Sequence, residues 1–100
     1  MNASTLPDLA NQLLIELFRR HTEVKEVRLF GSRAKGTHRP HSDVDLAIWG
    51  KVDALHGEAI AGELDELPLP YRFEVHPFDA ITHPALRDHI ERVGITIYRA

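Results

Sequence analysis

The sequence predicts a small α/β fold in which helices cover a mixed β-sheet, and three observations lead to this prediction. Two kinds of segment follow one another along the chain: longer ones with apolar residues at helical spacing, and short ones in which apolar and polar residues alternate. Glycines and prolines fall between these segments, where they are typical of turns. The length of 100 residues allows one small core. We therefore expect a single domain over residues 1–100, with helices packed on a sheet.

The first third of the chain is predicted to form a helix, a strand and a short second helix. Leucines and a phenylalanine recur at helical spacing over residues 5–21, and Thr5 and Asp8 are placed as a capping box. Residues 23–30 alternate and include branched side chains, which indicates a strand. A short helix is expected over residues 32–36, where a glycine ends it.

A second strand follows an exposed loop at residues 37–41. Apolar residues occupy every second position from 44 to 48, so one face of this strand is predicted to enter the core. Asp43 and Asp45 then share the opposite face, about 6.5–7 Å apart along the strand.

The rest of the chain is predicted to add two helices and two strands. A helix over residues 53–67 ends before Pro68, and a strand follows at 71–75. Thr82 is placed to cap a last helix, and a terminal strand is expected at 95–98.

Composition and charge exclude several classes of protein. No run of about 18 apolar residues is present to cross a membrane, and residues 1–5 do not resemble a signal peptide, so we expect a cytoplasmic protein without a membrane partner. The absence of cysteine excludes disulfides and zinc–thiolate sites. A net charge of -3 disfavours direct binding to a nucleic-acid backbone. A nucleotide remains a plausible ligand, since metal ions offset its charge.

Two neighbouring features carry the chemistry. Gly31 and Ser32 stand where a strand meets a helix, so backbone N–H groups and a hydroxyl are placed to bind a phosphate. A Gly-Ser pair by itself is more often a simple turn, and Asp43 and Asp45 by themselves fit a solvated strand face. Strands are depleted of aspartate, however, and two like charges on one face favour a divalent cation with oxygen ligands.

The joined motif resembles the signature of the polymerase-beta-like nucleotidyltransferase superfamily, and within it the minimal nucleotidyltransferases: GSR at residues 31–33, then SDVDL at residues 42–46. The resemblance implies the polymerase-beta-like nucleotidyltransferase fold. It also implies that Gly31, Ser32 and Arg33 contact a nucleotide and that Asp43 and Asp45 hold two divalent ions, together with a third acidic residue on a later strand.

Glu74 is the candidate for the third acidic residue, because it lies mid-strand between apolar neighbours. The minimal family usually has Asp at this place. Asp79 is the second candidate. Glu74 is also compatible with a purely structural role, as a solvated residue or as an ion-pair partner of Arg72 or Arg28.

Other polar and aromatic residues allow two interpretations each. Arg33 and Lys35 suit either a triphosphate or solubility, and His38 and His41 suit either a nucleotide contact or a wet loop. None of the seven histidines forms the helical pair of a zinc hydrolase. Trp49 suits either a core cap or a partner contact.

The resemblance implies a function as the antitoxin of an HEPN/MNT toxin–antitoxin pair. Such a protein uses ATP and two Mg²⁺ ions, or Mn²⁺, to transfer AMP to a hydroxyl, here a tyrosine, of a cognate HEPN ribonuclease toxin, in a hetero-oligomeric complex. The alternative is a non-catalytic antitoxin that neutralises the HEPN partner by binding alone. Transfer to a small molecule such as an aminoglycoside is less favoured, because that activity usually needs an added substrate-binding domain.

Overall fold

The computed structural model describes residues 6–31, 34 and 43–100. Their four strands form one sheet in the order β3-β2-β1-β4. Strands β2 and β3 are parallel, whereas β1 is antiparallel to both β2 and β4. The predicted mixed sheet with covering helices is therefore confirmed. The elements are, in chain order, α1 (Asp8–Arg19), β1 (Val24–Phe30), β2 (Val44–Gly50), α2 (Ala54–Asp65), β3 (Phe73–Pro77), a 3-10 turn (Phe78–Ala80), α3 (Pro84–Val93) and β4 (Ile95–Arg99).

The starts of helices α1 and α3 are compared with the predicted capping residues, of which Thr5 lies outside the described part of the chain. Helix α1 begins at Asp8, and its N-cap residue, Pro7, makes no side-chain capping hydrogen bond. Thr5 of the predicted capping box lies outside the described residues, as do the loop at 37–41 and all of the predicted short helix except Ala34. Helix α3 is capped by His83 rather than Thr82, because the His83 Nδ1 accepts a hydrogen bond from the backbone N–H of Leu86 at 3.3 Å.

The middle of the chain follows the prediction with small shifts. Asp53 caps α2 as a side-chain acceptor for the His56 N–H at 2.8 Å, and the helix ends two residues earlier than predicted, at Asp65. Strand β3 starts two residues later than predicted and extends to Pro77. No helix in the described part of the chain is both long and apolar enough to cross a membrane.

The larger core lies between one face of the sheet and helices α1 and α2. The alternating apolar residues of β2 enter this core, as the period-two pattern predicts, so the residues between them face the other way. Burial of these side chains is the main force that fixes the sheet against the helices. The most buried members include Leu14, Leu17 and Phe18 of α1, Val27 and Leu29 of β1, Leu46 and Ile48 of β2, and Ile60 and Leu64 of α2.

A smaller core covers part of the opposite face of the sheet. Phe30 of β1 and Ala47 of β2 are buried there under Phe78 of the 3-10 turn and Ile90 of α3. Helix α3 and the 3-10 turn thus cover Phe30 and Ala47 on this face.

Trp49 caps the smaller core through a stack of rings and guanidinium groups. The Trp49 ring lies on the Phe78 ring with centroids 4.4 Å apart. The Arg28 guanidinium lies 4.7 Å from the Trp49 centroid, and the Arg87 guanidinium lies 4.2 Å from the Phe78 centroid. Of the two roles that the sequence allows for Trp49, the structure therefore shows the core cap.

Candidate metal site

The register of β2 and β3 brings three possible metal ligands together. Asp45 pairs with Glu74, and Ala47 pairs with His76 on the parallel strand. Because residues that pair or stand two apart share a face, Asp45, Glu74 and His76 all lie on the face opposite the larger core. One ligand atom from each lies within 4.8 Å of the others.

The distances in this group suit one cation between the three side chains. The His76 Nε2 lies 3.8 Å from the Asp45 Oδ1 and 3.9 Å from the Glu74 Oε2, too far for hydrogen bonds. Two ligand atoms bound to one divalent ion at about 2.0–2.3 Å lie about 3–4 Å apart. The side chains of Asp45, His76 and Glu74 are 25, 35 and 48% exposed, so an ion can reach them from solvent.

Negative charge accumulates at this group. The pKa of Glu74 is raised above its usual value, first because its protonated form hydrogen-bonds to Asp45 and then because of partial desolvation. The charges of Asp45 and Asp43 raise it further, while His76 opposes them. Since a divalent cation would compensate this repulsion, the donor set and its electrostatics both fit such an ion.

Gly31 lies directly beside the Asp45 carboxylate. Phe30, the last residue of β1, pairs with Asp45, and Gly31 follows with a φ of +76°. A Cβ atom at position 31 would lie 2.7 Å from the Asp45 Oδ2. Any other residue here would strain the backbone and displace the Asp45 carboxylate. The structure thus brings the predicted phosphate-binding turn next to a predicted metal ligand.

The remaining predicted site residues are placed less closely or lie outside the described residues. Asp43 precedes β2 and acts on Glu74 through its charge, but it is not a member of the three-ligand group. Ser32 and Arg33, the other predicted nucleotide contacts, lie outside the described residues.

Asp79, the second candidate for the third acidic residue, lies away from the group. It is exposed in the 3-10 turn and lines an open pocket of about 700 Å³ with Gly50, Lys51 and Asp53. These residues follow the far ends of β2 and β3, so the structure places Glu74, and not Asp79, beside Asp45.

His76 is a member of the group that sequence reasoning did not assign to the site. The signal was present, because His76 stands two residues after Glu74 on the same strand and therefore on the same face. Its ring meets the edge of the buried Phe30 ring at 5.4 Å between centroids. A histidine on a strand beside carboxylates differs from the helical histidine pair that is typical of zinc hydrolases.

Comparison with known proteins identifies the family and the fold. The family model described as polymerase beta, nucleotidyltransferase matches residues 12–100. A comparison with curated sequences gave no significant match. Similar solved structures confirm the polymerase-beta-like nucleotidyltransferase fold that the sequence predicts.

Toxin–antitoxin complexes are among these structures. A chain of a toxin–antitoxin with AMP-PNP has a TM-score of 0.76 and 20% identity, over 90% of this chain and 73% of that chain. A chain of the toxin–antitoxin MntA–HepT has a TM-score of 0.71 and 18% identity, over 94% and 74%. A chain of a tri-AMPylated Shewanella oneidensis HEPN toxin in complex with MNT antitoxin has a TM-score of 0.70 and 18% identity, over 92% and 71%. With the family match spanning nearly its whole length, this chain belongs to the polymerase beta nucleotidyltransferase family.

Proposed function

We propose that this chain is an antitoxin nucleotidyltransferase that transfers AMP from ATP to a tyrosine hydroxyl of a cognate HEPN toxin. The observation that carries the proposal is the pairing of Asp45 and Glu74 on adjacent strands, next to the turn at Gly31. Two carboxylates beside a close backbone turn suit a metal-bound triphosphate.

The similar structures support the donor and the acceptor. AMP-PNP, an analogue of ATP, is present with one toxin–antitoxin, and the HEPN toxin of another complex is tri-AMPylated. Both observations were made on other proteins, and they favour ATP and an HEPN toxin as the substrates of this chain. The working state is then a hetero-oligomeric complex, in which the toxin supplies the surface for substrate recognition.

The described residues would divide the reaction between them. Mg²⁺ ions, two in this superfamily, or Mn²⁺ would offset the charge of the triphosphate and of the leaving pyrophosphate. Asp43, Asp45 and Glu74 would hold the metal ions, and Gly31 would let the backbone approach the phosphates together with Ser32 and Arg33. This arrangement needs no movement of β2 or β3, because Asp45 and Glu74 already lie opposite each other.

The transfer step forms one bond and breaks one. The tyrosine oxygen bonds to the α-phosphorus of ATP, and the bond from that phosphorus to the oxygen of pyrophosphate breaks. The proton of the hydroxyl passes to a carboxylate oxygen of Glu74, whose side chain is the most exposed of the three in the group. An acceptor presented by a partner protein can therefore reach it.

The alternative function is neutralisation of the HEPN toxin by binding alone. The observation in its favour is the longer side chain of Glu74 where the minimal family usually has Asp. A displaced third carboxylate would weaken metal binding without affecting a surface that covers the toxin.

Intact mass spectrometry of the toxin separates the two functions. The full chain is incubated with a candidate HEPN toxin, ATP and Mg²⁺, and Asp45→Asn is the control. A mass gain in AMP units with the native chain, and none with Asp45→Asn, would support transfer. A stable complex and a silenced toxin without any mass gain would favour binding alone.

A further inference from the structure

His76 lies in the metal site without a hydrogen bond to either carboxylate. Its Nε2 is 3.8 Å from Asp45 and 3.9 Å from Glu74, so it is nearly equidistant from the two. A histidine that served only to hold one carboxylate would lie within about 3.2 Å of it. The position instead suits an imidazole nitrogen and two carboxylate oxygens directed at a common point.

The surroundings of His76 fix the ring in this place. Its neighbour across the parallel ladder is Ala47, a small and fully buried residue that leaves room on this face. The buried Phe30 ring meets the imidazole at an interplanar angle of 64°. Phe30 also pairs with Asp45 across β1 and β2. Phe30 therefore lies next to both the imidazole of His76 and the carboxylate-bearing residue Asp45.

We propose that the His76 Nε2 is a direct ligand of the metal ion, together with Asp45 and Glu74, and that the site therefore binds Mn²⁺ more tightly than Mg²⁺. Mg²⁺ binds oxygen ligands almost exclusively and keeps much of its water. First-row transition-metal ions accept imidazole nitrogen as well as carboxylate oxygen. This inference rests on the proposed function, because it specifies the ion of the same site.

Electron paramagnetic resonance of bound Mn²⁺ tests the inference without any measurement of activity. Mn²⁺ alone is added to the full chain; loss of the free-ion signal gives the affinity, and pulsed spectra detect a coordinated ¹⁴N nucleus. We expect a nitrogen coupling in the native chain that disappears in His76→Asn. We also expect His76→Asn to weaken Mn²⁺ binding by about tenfold or more. The Mg²⁺ affinity is measured by competition with bound Mn²⁺. The same substitution, His76→Asn, should change the Mg²⁺ affinity much less than the Mn²⁺ affinity.

His89→Asn is the matched control. The His89 ring also meets the edge of the Phe30 ring, at 6.5 Å between centroids, but His89 is not a member of the ligand group. This variant should keep the Mn²⁺ affinity and the nitrogen coupling. A nitrogen coupling that persists in His76→Asn but is lost in His89→Asn would overturn the assignment.

Thermal unfolding of the metal-free variants shows whether each one folds, and His76→Gln replaces His76→Asn if the latter does not. Mn²⁺ binding without any nitrogen coupling in the native chain would overturn this inference and leave the proposed function intact. Failure of the native chain to bind Mn²⁺ or Mg²⁺, even with ATP present, would overturn both.

Discussion

Asp45 and Glu74 lie directly opposite each other on the parallel strands β2 and β3, and the pKa of Glu74 is raised by that proximity. Two carboxylates at adjacent positions of a sheet repel each other unless a proton or a cation lies between them. Part of this face is covered by α3 and the 3-10 turn, and the side chains of Asp45, Glu74 and His76 are partly exposed beside it. This relationship fits a site that binds a cation.

Replacement of Glu74 by Gln should lower the rate of AMP transfer by about 100-fold or more, because the third carboxylate is lost as both ligand and proton acceptor. Glu74→Asp, which restores the usual residue of the minimal family, should remain active. Asp79→Asn is the control and should keep full activity, since Asp79 lies in the 3-10 turn after β3, away from Asp45. Transfer is measured as AMP added to the toxin. An unchanged rate in Glu74→Gln with an inactive Asp79→Asn would move the role to Asp79.

Addition of Mg²⁺ or Mn²⁺ should raise the melting temperature of the native chain, because an ion that binds only the folded state stabilises it. Asp45→Asn should lose most of this shift, and the metal-free variant should be at least as stable as the native chain, since one of two repelling charges is gone. Melting curves with metal and with a chelator measure both effects. A full metal-induced shift in Asp45→Asn would show that the ion binds elsewhere.

Gly31→Ala should destabilise the fold by about 1–2 kcal/mol from the positive φ alone. The added Cβ would also collide with the Asp45 carboxylate and displace it, so Mn²⁺ affinity should fall as well. Gly62→Ala in α2 is the matched control. A Cβ there meets nothing within 4 Å, and alanine in a helix should stabilise by about 0.5–1 kcal/mol. Equal effects of the two variants in denaturant unfolding and metal titration would contradict the assignment of Gly31.

Local patterns in the sequence predicted the faces of β2 correctly, because the period of a strand fixes which side chains share a face. The place of His76 depends instead on the pairing of Ala47 with His76 across β2 and β3. The period-two spacing gives the face that His76 shares with Glu74, but the register that brings it beside Asp45 is set by the packing of the whole sheet. The structure brings the predicted Asp45 and Glu74 together and adds His76, which the sequence did not assign to the site.

The cap of α3 shows the same limit on a smaller scale. Thr82 is the better cap by residue preference, but the helix begins one residue later, so the imidazole of His83 accepts the hydrogen bond from Leu86. Helix ends are fixed to a residue by tertiary contacts that propensity does not include.

Glu26 should stabilise the fold at neutral pH and lose this contribution in acid. Burial raises the pKa of Glu26, but hydrogen bonds from Arg28 and Thr96 and the charges of Arg28 and Arg99 outweigh it, so the pKa lies below its ordinary value of 4.5. Because the folded state holds this proton less tightly than the unfolded chain, the contribution is complete above about pH 4.5. It is lost as the pH falls through the lower, folded-state pKa.

The difference in the free energy of unfolding between the native chain and Glu26→Gln isolates this contribution, since the contributions of all other carboxylates are the same in both proteins. In urea unfolding, Glu26→Gln should be less stable by about 1 kcal/mol at pH 7, and the gap should narrow below pH 4.5. Glu58→Gln, at an exposed position of α2, should show no such gap. A stability difference that widens in acid would show that the pKa of Glu26 is raised in the folded state, not lowered.

Arg87 should stabilise the smaller core without contributing to the metal site. Its guanidinium lies over the Phe78 ring, and its Nη1 donates to the carbonyl oxygens of Phe78 and Ile81, each at 2.9 Å. Arg87→Ala removes both contacts and should cost about 1–3 kcal/mol. Arg92→Ala on the same helix breaks only an exposed ion pair with Asp88 and should cost less than about 0.5 kcal/mol. Denaturant unfolding measures both costs, and Mn²⁺ affinity should be unchanged in both variants. A large loss of Mn²⁺ affinity in a folded Arg87→Ala would show that the smaller core holds the ligands in place, rather than the register of β2 and β3 alone.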